Sequence, residues 1–180
     1  VLMRDLLAED GSIYVHCDYR LNSYLRAVLE EVFGFYRNEI VWQRTTNTGS
    51  SKGIANKLSN DTDSILYFGK SKSPLFNKQF KPYSDDYLAR FKFEDKRGKF
   101  RWQYMATYSQ EKYEELEARG EVRWNAGSKN PEYKQYLDGL AGIPLNNLWT
   151  DIFHVNPMAL EGVDYPTQKP EALLERILKA

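Results

Sequence analysis

Three side chains that could together bind an anion follow one another near the C-terminal end of the sequence. Thr167, Gln168 and Lys169 offer a hydroxyl, an amide and an ammonium group between Pro166 and Pro170. Pro170 can occupy the first turn of a helix, where its missing N–H costs little. Backbone donors and the dipole at the start of that helix would add to the attraction for an anion. The simpler alternative is an ordinary loop before an ordinary helix.

The segment after Pro170 has the pattern of an amphipathic helix. Its apolar side chains fall on one face at the i, i+1, i+4, i+5 spacing, and they are Leu173, Leu174, Ile177 and Leu178. The polar trio would therefore be held beside the N-terminus of a helix that packs by an apolar face.

The hexapeptide Tyr165–Pro170, followed by Leu-Leu-Glu-Arg-Ile-Leu, resembles a motif of the amino-group DNA methyltransferases. The similarity is to their circularly permuted class, in which the catalytic half comes first and the S-adenosylmethionine half last. In that family the motif borders the methionine end of the cofactor. The resemblance implies that Thr167, Gln168 and Lys169 contact S-adenosyl-L-methionine.

The elements that must position this motif have an α/β pattern. Short runs rich in β-branched and aromatic residues predict strands at Ser12–Cys17, Asn38–Gln43 and Ser64–Phe68, and the i, i+3, i+4 repeat of Asn22–Phe33 predicts a helix. We expect the three strands to share one sheet with the helix packed on it. The third strand follows a loop without helical pattern, so we expect it to pair antiparallel as a hairpin-like edge.

Asp18 follows the first predicted strand, and ligands of α/β sheets bind beyond the C-terminal ends of strands. Asp18 is therefore a candidate to accept a hydrogen bond from the cofactor or from a target base. The alternative is that Asp18 caps the helix that follows. The sequence has only two histidines, His16 and His154, and no carboxylate cluster with ligand spacing, so no metal site is expected.

A second set of segments resembles the same family in the order that the permuted class requires. The segments Ser12–Asp18, Ser23–Arg26 and Arg37–Trp42 are similar to those that follow its catalytic motif, and Ile65–Phe68 fits its last sheet strands. The resemblance implies a partial Rossmann-like methyltransferase sheet with an inserted α+β target-recognition region. The implied domains are a partial catalytic domain at 1–69, a target-recognition region at 70–150, and a connector with the start of the cofactor half at 151–180.

The segment Lys70–Arg101 is strongly basic. Ten basic against four acidic side chains leave a net charge of about +6, and aromatic residues are interleaved with them. Such an excess favours phosphate backbones, although a solvated charged face is the alternative. Lys52 lies in the small polar stretch Thr45–Gly53, which either follows DNA phosphates or is a solvated loop. The candidate contacts to double-stranded DNA are Lys52, Lys92, Lys96, Arg97, Lys99 and Arg101.

Two motifs of the family do not occur in these 180 residues. One is the Asp/Asn/Ser-Pro-Pro-aromatic tetrapeptide that holds the target amino group, and the other is the glycine-rich loop that carries the cofactor. We therefore expect an internal fragment without catalytic residues of its own. The family resemblance implies a parent that methylates adenine N6 in DNA within a restriction-modification system. The alternatives are cytosine N4 as the target, a non-catalytic DNA-binding module, and an unrelated α/β protein.

The overall composition limits which partners, cellular compartment and membrane association are expected. There are 25 basic and 25 acidic residues, so the overall charge predicts no partner. The single cysteine, Cys17, excludes an intrachain disulfide and fits a reducing compartment, which predicts a cytoplasmic protein. No apolar run reaches the roughly 18 residues of a membrane span. Beyond DNA, a second copy of the chain or a restriction subunit are the expected protein partners.

Overall fold

The computed structural model describes residues 2–46, 56, 58–156, 158–163 and 165–180. The candidate DNA contact Lys52 lies outside these described residues. The chain divides into two compact units: unit 1 contains Val1–Gln79 and Leu145–Ala180, and unit 2 contains Phe80–Pro144. Each unit has its own sheet and is described by itself.

The helices and strands are numbered in chain order. They are α1 (Leu2–Leu6), β1 (Ser12–Cys17), α2 (Asn22–Phe33), β2 (Phe35–Gln43), β3 (Thr62–Gly69), β4 (Phe80–Lys81), α3 (Asp85–Leu88), β5 (Phe93–Asp95), β6 (Gly98–Tyr104), α4 (Gln110–Ala118), β7 (Val122–Arg123), β8 (Glu132–Tyr136), β9 (Ile143–Pro144), β10 (Leu148–Trp149) and α5 (Glu171–Lys179).

Unit 1 is built on a four-stranded mixed sheet with the strand order β1-β3-β2-β10. Strand β3 pairs antiparallel with both β1 and β2, and β10 pairs parallel with β2. Strands β1, β2 and β10 therefore run in one direction. The predicted common sheet and the antiparallel third strand are confirmed, but β3 lies between β1 and β2, so the prediction of an edge strand was wrong.

Side chains that alternate along the strands bury two apolar clusters, one on each face of this sheet. On one face Leu29 and Phe33 of α2 pack with the other buried members Cys17, Leu66 and Phe68, which confirms the packing predicted for α2. The other cluster contains Ile40, Trp42, Ile65, Trp149, Ile152 and Leu173. Helix α5 thus covers the face opposite to α2.

Only half of the apolar face predicted for α5 is packed. Leu173 is buried and Ile177 packs beside it. Leu174 and Leu178 are 50% and 85% exposed. The i, i+4 pair that points at the sheet is buried, whereas the neighbouring pair is rotated by about 100° around the helix and remains in solvent.

Unit 2 contains a four-stranded antiparallel sheet with the order β5-β6-β8-β7. The two short strands β4 and β9 pair antiparallel with each other as a separate two-stranded sheet. The hairpin between β5 and β6 turns through Lys96 and Arg97, and Gly98 completes it with φ of 134°. Helix α4 begins after Ser109, whose hydroxyl accepts a hydrogen bond from the amide of Lys112. This N-cap supplies an acceptor for an otherwise unpaired helix donor.

Candidate cofactor pocket and DNA-contact residues

A pocket of about 880 Å³ opens in unit 1 where β1 and β2 end. Small-molecule sites usually measure about 300–1,000 Å³, and in α/β sheets they lie at this end of the strands. Asp18 contributes from the segment after β1, and Thr167, Gln168 and Lys169 contribute from the segment before α5. All four residues expected to contact a cofactor therefore line one pocket, although about 150 positions separate the two segments.

Asp18 is held by Arg20 rather than by the following helix. Its carboxylate accepts hydrogen bonds from the backbone N–H of Arg20 at 3.0 Å and from Nε and Nη2 of its guanidinium at 2.8 and 2.5 Å. These hydrogen bonds lower the pKa of Asp18 below its ordinary value. Leu21 occupies the N-cap position of α2 without a side-chain hydrogen bond. The alternative that Asp18 caps this helix was therefore wrong.

The segment before α5 is fixed by the amide side chain of Gln168. Its Oε1 accepts from the N–H of Val163 at 2.9 Å, and its Nε2 donates to the carbonyl of Glu161 at 2.6 Å. The ammonium of Lys169 donates to the carbonyl of Thr167 at 2.9 Å. Gln168 therefore anchors the preceding loop, while Lys169 brings a positive charge to the pocket wall.

The N-terminus of α5 already has a carboxylate beside it. Glu161 Oε2 accepts a hydrogen bond from the backbone N–H of Glu171 at 3.0 Å. Pro170 stands at the N-cap, one position before the first turn in which it was expected. An anion drawn to this helix end would compete with Glu161 for a backbone donor. Lys169 lines the pocket, and among the described residues its ammonium group has a carbonyl but no carboxylate as partner.

Three further wall residues of the pocket, none of them among the predicted cofactor contacts, form a network of charged and polar side chains. Nε2 of His16 lies 3.0 Å from Oδ2 of Asp63, and Nε of Arg44 lies 3.3 Å from Oδ1 of the same carboxylate as an ion pair. The guanidinium of Arg44 also donates to the carbonyl of Asn60 at 2.6 Å. Local sequence patterns do not indicate this network. It depends on strand register, because pairing of Cys17 with Ser64 brings the start of β3 beside the end of β1.

The pocket is supported from the core by Trp42. Its indole Nε1 donates to the carbonyl of Ile152 at 2.7 Å, and its ring meets that of His16 edge-on at 5.8 Å. Nδ1 of His154 lies 2.7 Å from the carbonyl oxygen of Arg44, within hydrogen-bond distance. These contacts bind the 152–154 segment to the end of β2 and close one side of the pocket.

Within the described part of the chain, no group of three or more His, Cys, Asp or Glu side chains is arranged to hold a metal ion. None of the helices among these described residues has the length and apolar character needed to cross a membrane.

The candidate DNA contacts of unit 2 fall into two classes. Lys92, Lys96 and Lys99 are exposed, and among the residues described their ammonium groups make no hydrogen bond or ion pair. Their charges are available to phosphates. They lie before, within and after the β5–β6 turn, so they form one basic hairpin.

The two arginines of this set are engaged inside unit 2. Arg97 donates to Oε1 of Glu121 at 2.9 Å, and its Cζ lies 4.2 Å from the ring centre of Tyr136. Arg101 donates through Nε to Oε1 of Gln135 at 2.7 Å. The sequence count of positive charges therefore overstates the charge of this segment that is free for DNA, because Arg97 already has a carboxylate partner.

Comparison with known proteins gives an independent assignment. A family model described as DNA methylase matches residues 1–180. The Type II methyltransferase M.EcaI of Enterobacter cloacae is 27% identical over 207 residues, an alignment that covers 100% of this chain and 45% of that protein. The chain thus spans less than half the length of this relative. Because the family model covers every residue, the chain belongs to the DNA methylase family, and its resemblance to amino-group DNA methyltransferases is confirmed.

Proposed function

We propose that this chain is part of an enzyme that transfers a methyl group from S-adenosyl-L-methionine to the N6 amino group of adenine in DNA. In this proposal unit 1 contributes to the cofactor site and unit 2 contacts the DNA. The main support is that Asp18, Thr167, Gln168 and Lys169 line one pocket in a chain of the DNA methylase family. Cytosine N4 as the acceptor and a non-catalytic DNA-binding module are the alternatives.

The chemistry of the pocket fits the cofactor. Lys169 offers positive charge for a carboxylate, and the carboxylates of Asp18 and Asp63 offer acceptors for an ammonium or ribose hydroxyl group. Leu25 supplies apolar wall for a purine ring. When bound, S-adenosyl-L-methionine supplies an electrophilic methyl group on a sulfonium sulfur. The role of these side chains is to bind and orient the donor, which lowers the entropic part of the barrier.

The acceptor chemistry is expected from residues outside this sequence. Neither the Pro-Pro-aromatic tetrapeptide nor the glycine-rich loop occurs in it. We therefore expect the chain alone to bind S-adenosyl-L-methionine weakly or not at all, and to transfer no methyl group. The circular permutation, the division at 1–69, 70–150 and 151–180, a restriction-modification setting with a second copy or restriction subunit as partner, and a cytoplasmic location remain predictions.

Cofactor binding can be measured on the chain as it is. We would titrate S-adenosyl-L-methionine by saturation-transfer NMR, which detects weak complexes, and displace it with S-adenosylhomocysteine. Lys169→Ala should raise the Kd about two- to fivefold, because an ion pair at a partly exposed site contributes at most about 1 kcal/mol. Lys179→Ala is the matched control, since Lys179 lies at the other end of α5 in an ion pair with Glu175. Equal effects of the two changes would refute this placement of the cofactor.

The transfer reaction itself requires the longer protein that contains this sequence. Incubation with radiolabelled cofactor and mixed-sequence duplex DNA, followed by mass spectrometry of the nucleosides, should yield N6-methyladenine. N4-methylcytosine would select the alternative acceptor. DNA binding without either product would select the non-catalytic module. Micromolar cofactor binding or measurable transfer by the 180-residue chain alone would mean that a different, complete site lies within it.

A further inference from the structure

Arg101 has the geometry of a preorganised base-reading side chain. It lies on β6 opposite Gln135 of β8, and its Nε donates to Oε1 of Gln135 at 2.7 Å. Its guanidinium Cζ is 5.0 Å from the ring centre of Tyr87 and 5.5 Å from that of Phe91. Two aromatic rings and one hydrogen bond therefore fix the position of the guanidinium group.

The terminal nitrogens of Arg101 are left without partners. Among the described residues neither Nη atom makes a hydrogen bond or ion pair, and the side chain is only half-buried. The other arginines held tightly in unit 2 are bound by carboxylates: Arg97 by Glu121, Arg119 by Glu115 and Glu121, and Arg123 by Glu132. Arg101 differs from them because only neutral groups hold it, so no carboxylate among the described residues competes for its Nη donors.

Such an arrangement suits the edge of a guanine base. Guanine presents O6 and N7 in the major groove as two adjacent acceptors, and a planar guanidinium meets both at once. Fixing the guanidinium before binding reduces the ordering cost of that contact. A guanidinium can also meet a phosphate with two hydrogen bonds, but exposed Lys99, two residues earlier on the same face of β6, already supplies a flexible cation for that contact.

We propose that Arg101 recognises one guanine of the target sequence through its Nη atoms, and that Gln135 positions it. This inference rests on the proposed DNA-binding function of unit 2. It assigns Arg101 to sequence specificity, whereas Lys92, Lys96 and Lys99 supply affinity that is independent of sequence.

The test is a selection from a random-sequence duplex DNA pool by the 180-residue chain, with sequencing of the bound fraction. The unmodified chain should enrich one guanine position. Arg101→Lys and Arg101→Ala should reduce discrimination at that position by about 5- to 150-fold, the range that a bidentate contact provides, with discrimination elsewhere retained. Gln135→Ala should reduce it less, because it removes only the hydrogen bond that orients Nε.

Arg90→Ala is the matched control. The guanidinium of Arg90 also lies over the ring of Tyr87, at 5.6 Å, but no side-chain hydrogen bond orients it among the described residues. Its removal should leave the sequence preference unchanged. Because changes at Arg101 remove packing on Phe91, thermal unfolding is followed in parallel, and Gln135→Ala decides the question if the Arg101 variants unfold.

The outcomes separate the two proposals. If the chain binds the pool in a salt-dependent manner but Arg101→Ala or Gln135→Ala keeps the full guanine preference, base recognition by Arg101 is overturned while DNA binding by unit 2 stands. Salt-dependent binding without any base preference also overturns it. If neither the chain nor the longer protein binds DNA, the proposed function itself fails.

Discussion

Trp42, which supports the candidate cofactor pocket, should also be among the side chains that stabilise unit 1 most. Trp42 is 2% exposed, and its indole donates to the carbonyl of Ile152 at 2.7 Å. Trp42→Phe removes this donor and leaves a smaller ring in the same cluster. It tests whether the pocket wall depends on one buried hydrogen bond.

The expected cost follows from two contributions. A buried carbonyl that is deprived of its partner costs about 1–3 kcal/mol. The space left by the smaller ring among packed neighbours costs about another 1–2 kcal/mol, since cores relax only partly. We therefore expect Trp42→Phe to lower the free energy of unfolding by about 2–5 kcal/mol, a large part of the stability of an ordinary domain.

Trp124→Phe is a matched control in unit 2. Trp124 is 56% exposed, and its Nε1 donates to the hydroxyl of Tyr113 at 3.2 Å. Both variants thus remove one indole hydrogen bond, but only that of Trp42 is buried. Because water can replace the exposed partner, Trp124→Phe should cost no more than about 0.5 kcal/mol.

Urea unfolding followed by far-UV circular dichroism measures both variants without relying on tryptophan fluorescence. The two units need not unfold together, so separate transitions are fitted where they appear. A cost below about 1 kcal/mol for Trp42→Phe, or equal costs for Trp42→Phe and Trp124→Phe, would contradict the account of a buried, single-partner indole supporting the pocket.

Two further predictions concern unit 2. Replacing Lys92, Lys96 and Lys99 together with alanine should weaken binding to duplex DNA. The slope of log K against log salt should become shallower by roughly 0.9 for each phosphate that is no longer neutralised, as measured by fluorescence anisotropy at several salt concentrations. An unchanged slope would contradict the proposal that these lysines contact phosphates. Asp95 accepts a hydrogen bond from Lys134 at 2.7 Å, which is the main reason its pKa falls from 3.8 to about 2. A carboxyl group whose pKa is lower in the folded state stabilises the fold above pH 3.8, and this stabilisation is lost as pH falls through about 2. Asp95→Asn should therefore make the free energy of unfolding depend less on pH in that window. An unchanged pH dependence would show that this hydrogen bond does not stabilise the fold.

Local sequence patterns correctly predicted several elements of unit 1. The bounds of β1 and α2 agree with the structure, and β2 and β3 extend the predicted strands by a few residues at their ends. These elements could be recognised because hydrophobic periodicity and β-branched runs act over a few neighbouring positions. The helical cap at Ser109 has the same local origin, since its hydroxyl contacts an amide three residues away.

The position of β3 was decided by long-range pairing. A short run of apolar and aromatic residues identifies a strand but not its neighbours, and β3 was expected at an edge. In the structure it lies between β1 and β2 and is almost completely buried from Ile65 to Phe68. Central strands are buried on both faces and have continuous apolar runs, which is the signal in this stretch that the edge assignment did not use.

The candidate site shows the same division between local and long-range causes. The sequence identified Asp18 by its place after a predicted strand, and Thr167–Lys169 by their resemblance to a family motif. Only the fold shows that Gln168 uses its amide to hold the 161–163 loop, and that Asp18 binds Arg20 instead of capping α2. A polar side chain near a helix start has several partners within reach, and backbone geometry selects among them.

The sequence identifies which charged side chains are present, but not which of them are free to bind a partner. Counting gave about +6 for Lys70–Arg101, yet the structure separates free lysines from Arg97, which is paired with Glu121, and from Arg101, which is held by Gln135. His16 and Asp63 likewise meet only because β1 and β3 pair in one register. The amino-acid order alone specified which groups exist and which local elements carry them. The folded chain selected which of those groups neutralise one another, because an ion pair depends on distances of a few ångströms between positions far apart in the chain.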